Sequence, residues 1–450
     1  MGSQESSNLN CDVLVIGGGP AGSTCSSFLH DKGWNVVVLE KEHHPRFHIG
    51  ESLLPMTLPI LEKLGLKDEI EQIGITKYGA EFNFNDEEGS IQTFYFDLAM
   101  NKDHPPSAFE VRRSEFDAAL FRNAGKKGVD TREGVKVTDV AFSPDQVLVT
   151  AQTEEGETQH WRAKFLVDAT GRDTFLSRRN KLKQKSTKHN SAAIFGHFEN
   201  VERRTGKDEG NISIYWFEHG WFWLIPLRDG MMSVGAVCYP EYLKTREGPV
   251  EDFLWQTIRL SPGVTQRMKD ARLVGEARAT GNFSYNASRM YGRKGENYLL
   301  IGDAYAFIDP VFSSGVHLAM SGAMKAADTI DACLHHPEQT QPLLKQHQQQ
   351  ITRALKTFSW LIHRFNSPAI YQLFQAPNNR WRIQEAIISL LSGDVYGNTP
   401  IHRPLLLFKV IYYLTSLGSL PRSWSAYLRR KRNTRLIFSG GTTPQDHLDS

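Results

Sequence analysis

The 450-residue chain has ordinary globular composition, with 40% hydrophobic and 23% charged residues, and its length predicts two or three structural units rather than one. Its net charge of +2 excludes a strongly basic nucleic-acid-binding protein, and no window approaches the roughly 18 consecutive apolar residues of a membrane span. The polar beginning of the chain lacks the apolar core of a secretory signal, which predicts a cytoplasmic protein.

The four cysteines show no spacing that would mark a metal site or a disulfide framework. They are Cys11, Cys25, Cys238 and Cys333, and each stands among apolar or small residues. Such surroundings are typical of reduced structural thiols. We therefore expect no disulfide and no bound metal.

A βαβ unit is predicted near the beginning of the chain, in CDVLVIGGGPAGSTCSSFLHDKGWNVVVLEKE. Its strand, helix and second strand are predicted at residues 12–16, 21–29 and 35–39. Gly17 permits a tight turn, Gly19 lets the backbone approach a pyrophosphate, and Gly22 lets the helix pack closely on the strand. The acid after the second strand can accept hydrogen bonds from ribose hydroxyls. The unit predicts binding of NAD or FAD by Gly17, Gly19, Pro20, Ala21, Gly22, Glu40 and Lys41.

The segment GWFWLIPL predicts a short strand with two tryptophans on one face. Side chains alternate along a strand, so Trp221 and Trp223 point to one side and Phe222 to the other. Indoles on a strand commonly fill a hydrophobic core. They can also form a wall beside a site, and the strand alone leaves both interpretations open.

Further along, ENYLLIGDAYAFIDPVFSSGVHLAM predicts an apolar strand before Gly302 and Asp303 and a helix of small residues after Gly315. The Ser-Ser-Gly run exposes backbone N–H groups beside the predicted helix N-terminus. Such groups bind an anion, although the same residues can simply cap the helix.

Together, these segments resemble the group A flavoprotein monooxygenases. The strand before Asp303 is similar to their second flavin motif, VRRSEFDAAL contains their cofactor-contacting arginine, and FLVDATGRDTFL contains the strand end with Asp168 and Gly171. The resemblance implies that the nucleotide is FAD. It adds these predicted cofactor contacts: Arg113, Asp168, Asp303, Pro310, Gly315 and Val316.

Within that fold, a WxWxIP segment resembles the flavin-dependent halogenases. It is matched here by Trp221, Trp223, Ile225 and Pro226. The resemblance covers about residues 12–330 and includes GESLLP and SVGAV. The signature DPVFSSGV is similar to that of the phenol and pyrrole branch, because Phe312 stands where the free-tryptophan branch has a glutamate.

The halogenase resemblance implies roles for residues whose type alone says little. Lys77, predicted to open a strand in IEQIGITKYGAEFNF, matches the essential lysine that hydrogen-bonds hypohalous acid or becomes a haloamine. Ser314 and Gly315 match the halide ligands. The two tryptophans match a barrier between flavin and substrate. The general base stays open, with Glu51 and several histidines as candidates.

The resemblance implies an enzyme that uses reduced FAD, O₂ and chloride or bromide to halogenate an electron-rich aromatic ring. No second GxGxxG follows a strand, so we expect a separate flavin reductase to supply the reduced FAD. An aromatic hydroxylase and a geranylgeranyl reductase-like enzyme on the same fold are alternatives, and neither needs the tryptophan segment or Lys77. A binding module without activity would not need both flavin motifs.

The predicted fold class is α/β, with a Rossmann-like FAD-binding domain, an interleaved mixed β-sheet domain on the substrate side and a helical C-terminal region. The discontinuous FAD-binding domain is predicted at residues 8–77, 111–180 and 275–340. The other two units are predicted at residues 78–110 and 181–274, and at residues 341–450.

The C-terminal region is predicted to be helical, aromatic and basic. Its LSGDVYG segment resembles the C-terminal helices of pyrrolyl halogenases that act on a ring tethered to a carrier protein. Carrier proteins are acidic, so a basic last helix predicts a landing surface for one. A free phenol as substrate, a solvated basic face and a helix that touches anionic lipid are the alternatives. The cations concerned are Arg422, Arg429, Arg430, Lys431 and Arg432.

Overall fold

The computed structural model describes residues 9–84, 89–281 and 283–436. Its strands are β1 (Leu9–Ile16), β2 (Val36–Leu39), β3 (Gly74–Lys77), β4 (Gly79–Asn83), β5 (Ile91–Tyr95), β6 (Ala108–Val111), β7 (Asp130–Arg132), β8 (Val135–Ser143), β9 (Gln146–Thr153), β10 (Thr158–Asp168), β11 (Lys183–Lys185), β12 (Ala192–Glu199), β13 (Ile212–Phe217), β14 (Gly220–Pro226), β15 (Met232–Cys238), β16 (Arg272–Thr280), β17 (Tyr285–Ala287), β18 (Tyr298–Leu300) and β19 (Ala306–Phe307). Its helices are α1 (Pro20–Asp31), α2 (Leu58–Leu64), α3 (Lys67–Ile73), α4 (Arg113–Lys127), α5 (Phe175–Arg179), α6 (Pro240–Leu243), α7 (Val250–Ile258), α8 (Pro262–Arg267), α9 (Ser314–His335), α10 (Thr340–Ile362), α11 (Pro368–Gln375), α12 (Ile383–Leu391), α13 (His402–Gly418) and α14 (Leu420–Asn433).

The first large sheet carries the nucleotide motif. Its strands run in the order β7-β2-β1-β10-β9-β8, and β18 pairs in parallel with the far end of β10. The strands β1, β2 and β7 are parallel, and the apolar runs of β1 and β2 are buried, as the parallel core of an α/β sheet requires. The predicted strand, helix and second strand are confirmed as β1, α1 and β2, with ends that differ by at most three residues.

The second large sheet carries the tryptophans. Its order is β16-β12-β15-β14-β13-β4-β5, which places β14 between two long neighbours at the centre. One face packs against α10 to α13, and the other packs against α7 and α8. The strand pairing β13–β4 is parallel and the others along the sheet are antiparallel, so the sheet is mixed as predicted.

The chain from α10 onward is helical, which confirms the predicted α/β class with a helical C-terminal region. The strand β16 extends to Thr280, beyond the predicted end of the substrate-side domain at 274, and the domain boundaries stay a prediction. Residue 8, residues 85–88, residue 282 and residues 437–450 of the predicted ranges lie outside the described residues. Among the helices described, none is by itself long and apolar enough to cross a membrane, whereas α13 and α14 together pass that test of length and composition and are bent by 107°.

Candidate active site

The glycine turn between β1 and α1 has the shape that a pyrophosphate cradle needs. Gly17 has φ +101°, and a Cβ on Gly22 would lie 1.9 Å from the Gly17 carbonyl oxygen, so both positions exclude other residues. Gly19 precedes the helix in an extended conformation, Pro20 is its first residue, and Ala21 is buried in the first turn. The turn and the amides at the beginning of α1 therefore have the geometry that the predicted binding of a dinucleotide phosphate requires.

The acid after β2 is tied to this turn. The Glu40 carboxylate accepts hydrogen bonds from the Gly18 backbone N–H at 2.7 Å and from Arg46 Nη2 at 3.2 Å. Arg46 Nη1 is buried without a hydrogen-bond partner among the described residues, and Arg46 Nη2 lies 3.8 Å from the position of a Cβ on Gly19. A guanidinium that is paired with Glu40 but keeps a buried N–H group without an acceptor fits a phosphate oxygen beside an open glycine turn. Lys41 pairs with Asp173 at 2.6 Å.

Two other predicted cofactor residues lie near the nucleotide fold. The Arg113 guanidinium is buried, pairs with Asp117 at 2.8 Å and donates to the Ile49 carbonyl oxygen at 2.7 Å. Asp303 follows β18, and burial raises the pKa of its carboxyl to about 6 against the opposing charges of Arg172 and Arg113. Carboxyl groups whose pKa is shifted this far are found more often at functional sites than on the exposed surface of a protein.

The carboxylate of Asp168, at the end of β10, is hydrogen-bonded to the loop that follows it. It accepts hydrogen bonds from Thr170 N, Thr170 Oγ1 and Leu176 N at 3.0, 2.6 and 2.8 Å. These bonds hold the turn that contains Gly171, which has φ +60°. Its direct contact with FAD stays a prediction.

The predicted halide loop is held in place by a buried carboxylate. Asp309 accepts from Ser191 Oγ at 2.6 Å and from the Val311 N–H at 3.1 Å, and lies 2.7 Å from His189 Nε2. Pro310 begins a short 3₁₀ turn, after which Ser313 adopts φ +53°. Helix α9 then begins at Ser314, Gly315 and Val316.

One cleft brings the cofactor and halide predictions together. Asp303, Phe307, Ser314 and Gly315 line the same cavity, between the loop after β18 and the first turns of α9. Because the N-terminus of a 22-residue helix faces this cleft, its free N–H groups favour an anion there.

Lys77 is fully buried within a polar cluster. Its Nζ donates to Ser52 Oγ at 2.7 Å and to the Leu53 carbonyl oxygen at 3.1 Å, and lies 3.8 Å from Glu110 Oε1. Ser52 Oγ in turn donates to Glu110 Oε1 at 3.2 Å, and the Phe96 ring lies 5.5 Å from the ammonium. The sequence predicted that Lys77 opens a strand, but it is the last residue of β3, and the next strand begins at Gly79.

Burial sets the protonation of this cluster. It lowers the pKa of Lys77, and it raises the pKa of the Glu110 carboxyl to about 8, although the Lys77 charge opposes that rise. Burial therefore disfavours the charged form of both groups, while their mutual attraction opposes that effect. Sequence reasoning missed Glu110, since nothing in VRRSEFDAAL or its neighbours relates that residue to a lysine 33 positions earlier.

The tryptophans occupy the face that the alternation predicted. Trp221 and Trp223 are buried in the cluster that covers α10 to α12, whereas Phe222 is buried on the opposite face of the sheet. The two indole centroids are 6.0 Å apart, and Trp223 Nε1 donates to Ser233 Oγ at 3.2 Å. A Cβ on Gly235 would lie 2.3 Å from the Trp223 ring, so the glycine of SVGAV makes room for that indole.

An aromatic contact links this wall to the halide loop. The Phe365 ring lies 6.2 Å from Trp221 and 5.3 Å from Phe312, which directly precedes the loop serines. The indoles thus reach the halide loop through one intervening ring.

The segment at residues 50–55 joins the separate parts of the site. Gly50 lies against Arg113, with Arg113 Nη1 3.2 Å from the position of its Cβ. The Glu51 carboxylate lies 3.0 Å from Nε2 of His197, which belongs to strand β12 of the second large sheet. Ser52 Oγ accepts a hydrogen bond from Lys77 Nζ. The GESLLP segment thus connects Arg113, a predicted FAD contact, to the buried Lys77.

A comparison with known proteins agrees with this arrangement. Residues 10–357 match the model of the FAD binding domain family, and the chain belongs to that class of flavoproteins. A curated pyrrole-2-carbonyl peptidyl-carrier-protein chlorinase from Pseudomonas fluorescens is 30% identical, over 93% of this chain and 96% of its own length.

Two solved structures are similar along nearly the whole chain. The flavin-dependent brominase Bmp2 is 28% identical with a TM-score of 0.79, over 90% of this chain and 99% of that one. The myxobacterial chondrochloren halogenase CndH is 33% identical with a TM-score of 0.75, over 91% and 97%. The protein is therefore a member of the flavin-dependent halogenases, with FAD as its cofactor, and the halogenase interpretation is confirmed over the hydroxylase and the prenyl reductase.

Proposed function

We propose that the enzyme halogenates an electron-rich ring, a pyrrole or a phenol, which it receives tethered to a carrier protein. The observation that carries the halogenation chemistry is the buried Lys77, whose ammonium lies among Ser52, Glu110 and the ring of Phe96. The tethered substrate is supported by relatives whose names specify a pyrrole-2-carbonyl group on a peptidyl carrier protein as the substrate of a chlorinase and of a brominase.

Each part of the site has a proposed task. Bound reduced FAD supplies, with O₂, the oxidising equivalent that converts a halide into hypohalous acid. The amides at Ser314 and Gly315 hold the halide, because the N-terminus of α9 favours negative charge. Lys77 hydrogen-bonds the hypohalous acid, whose halogen then replaces a ring hydrogen while its oxygen leaves as water. Ser52 and Glu110 orient the lysine.

Trp221 and Trp223 are proposed to keep the ring away from the flavin and the hypohalous acid inside the protein. Replacing either by phenylalanine should lower the halogenated product formed per reduced FAD consumed, by roughly threefold or more, because a smaller ring leaves a gap in a close-packed wall. The yield is measured by mass spectrometry of the product.

Trp255→Phe is the matched control for the wall, since Trp255 packs on Phe198 at the other face of the sheet. An equal loss of yield in all three variants would mean that the indoles of the wall act only as packing.

The expected source of reduced FAD leads to another prediction. Because the sequence contains one dinucleotide turn, NADPH should not reduce FAD bound to this protein faster than it reduces free FAD, and a separate flavin reductase should restore turnover. Stopped-flow absorbance of the flavin measures both rates. Rapid reduction by NADPH alone would contradict the proposal.

The tethered substrate is tested by comparing a pyrrole-2-carbonyl thioester on its carrier with the free acid. We expect the carrier-bound ring to be halogenated at least about tenfold faster, because docking raises the effective concentration of the ring at the site. Equal rates on the two substrates would overturn the tethered substrate and leave a free ring as the alternative.

We do not propose that all five cations of the predicted basic surface bind the carrier. Arg429 and Arg432 pair with Glu241 at 2.6 and 3.1 Å, and Arg430 donates to the His363 carbonyl oxygen. These three cations therefore serve contacts within the protein. Of the five, Arg422, Lys431 and Arg432 are exposed on α14, although Arg432 also pairs with Glu241.

A further inference from the structure

The last two helices expose an apolar surface that the halogenation site does not use. On α13, the buried side chains are Leu405, Phe408 and Tyr412, and they face the rest of the protein. The exposed side of the two helices, which we call the C-terminal apolar face, consists of Leu406, Val410, Tyr413, Leu414, Leu417, Leu420, Trp424, Tyr427 and Leu428.

The spacing of these residues gives each of the two helices an apolar stripe. Residues 406, 410, 413, 414 and 417 recur every three or four positions along α13, and residues 420, 424, 427 and 428 do the same along α14. Leu406, Leu414 and Leu417 are 64%, 63% and 63% exposed, and Trp424 is 58% exposed. Single exposed leucines are ordinary, but adjoining apolar faces on consecutive helices mark an interaction surface.

The charge of the C-terminal region is strongly positive, which favours an anionic partner for the C-terminal apolar face. Residues 341–436 contain fourteen lysines and arginines against two carboxylates, and no carboxylate follows Asp394 in that range. Arg403, Arg422 and Lys431 are exposed on the same two helices. Two helices that expose large apolar side chains together with these cations fit an anionic partner.

We propose that the C-terminal apolar face lies on an anionic lipid surface. A helix that rests in a bilayer interface has leucines and aromatics on one side and lysines and arginines on the other. The stacked rings of Trp424 and Tyr427, 5.5 Å apart, are of the type found at the level of lipid headgroups. Helices α13 and α14 run in different directions, with a bend of 107°, so together they cover an area rather than a line.

The same observations argue against the two other kinds of occupant. A second copy of this chain would bring two strongly cationic regions together, and like charges repel. A carrier protein, which is acidic and docks through charge, would find three of the five terminal cations already paired within the enzyme.

The experiment is flotation of the full-length protein with vesicles. We expect binding to vesicles made of equal parts of phosphatidylcholine and phosphatidylglycerol, much weaker binding to phosphatidylcholine alone, and partial release at high salt. The double substitution Leu414→Gln with Leu417→Gln should lower the bound-to-free ratio at least about tenfold, because two leucines no longer enter the lipid. Arg422→Gln with Lys431→Gln should reduce the preference for the anionic vesicles.

Exposed leucines elsewhere provide the matched control. Leu148→Gln with Leu260→Gln removes leucines that are 40% and 47% exposed outside these helices, and vesicle binding should be unchanged. Absence of vesicle binding by the unaltered protein would overturn the proposal. An equal loss of vesicle binding in the control variant would also overturn it. So would burial of the C-terminal apolar face in a dimer, detected by light scattering, or against an acidic carrier protein.

This inference is independent of the proposed function. Halogenation of a water-soluble substrate without vesicles should be the same in the unaltered protein and in the Leu414→Gln, Leu417→Gln variant. A failure of the catalytic proposal would remove activity from both, whereas a failure of the lipid proposal leaves activity and changes only flotation.

Discussion

Lys77→Met should reduce halogenated product by at least roughly 100-fold, the usual cost of removing one preorganised donor from an enclosed site. FAD binding and the oxidation of reduced FAD by O₂ should stay near their normal rates, because the contacts of Lys77 are to Ser52, Leu53 and Glu110 and not to the glycine turn. Product is measured by mass spectrometry and flavin oxidation by stopped-flow absorbance.

The variant is expected to fold. Methionine fills nearly the same volume, and loss of the ammonium removes the charge that lowers the pKa of Glu110, so that carboxyl stays protonated and neutral in its buried position. Lys207→Met is the control, since Lys207 is a surface lysine paired with Asp97 at 3.1 Å. Near-normal product from Lys77→Met would show that another group directs the halogen.

Gly22→Ala should abolish FAD binding. The added Cβ would stand 1.9 Å from the Gly17 carbonyl oxygen. The Cβ is bonded directly to the backbone and the oxygen is part of it, so neither can move away without opening the turn. We expect the free energy of unfolding to fall by about 2–3 kcal/mol, in the range of other overpacked interiors. The purified variant should lack flavin absorbance after reconstitution with FAD.

Gly322→Ala is the matched control, because Gly322 is also buried in a helix but its nearest neighbour would lie at 3.6 Å, an ordinary contact. It should keep FAD and stability. If Gly22→Ala also retained stoichiometric FAD, the dinucleotide site would not lie at this turn.

The parts of the fold that the sequence predicted are those set by local rules. The βαβ unit follows from an apolar strand, a glycine turn whose residues have steric reasons, and a second apolar strand, all within about thirty residues. The shared face of Trp221 and Trp223 follows from the alternation of a strand and needs no tertiary information. Both were confirmed because no distant contact decides them.

The parts that the sequence left out depend on distant contacts. Glu110 reaches Lys77 only because β6 pairs with β3, and Ser52 reaches both only because residues 50–55 cross beside that pair. The end of β3 at Lys77 is likewise fixed by its partner strand rather than by propensity. Arg46 approaches the glycine turn through a loop that no motif marks.

The C-terminal helices were predicted in part. Their helical and basic character was evident from the sequence, but the partners of Arg429, Arg430 and Arg432 are residues 67 to 191 positions away. Which cations remain free, and which leucines are exposed, is decided by packing against α11 and α12.

The most direct test of the central claim is mass spectrometry of the product formed from a carrier-bound pyrrole-2-carbonyl thioester. The reaction contains the full-length enzyme, FAD, a flavin reductase with its nicotinamide, O₂ and either chloride or bromide. We expect a product in which one ring hydrogen is replaced by the halide supplied, with its isotope pattern, and no such product from Lys77→Met. A hydroxylated ring would contradict halogenation. So would an unchanged ring, on both tethered and free substrates and with either halide, when the unaltered enzyme consumes all of the reduced FAD.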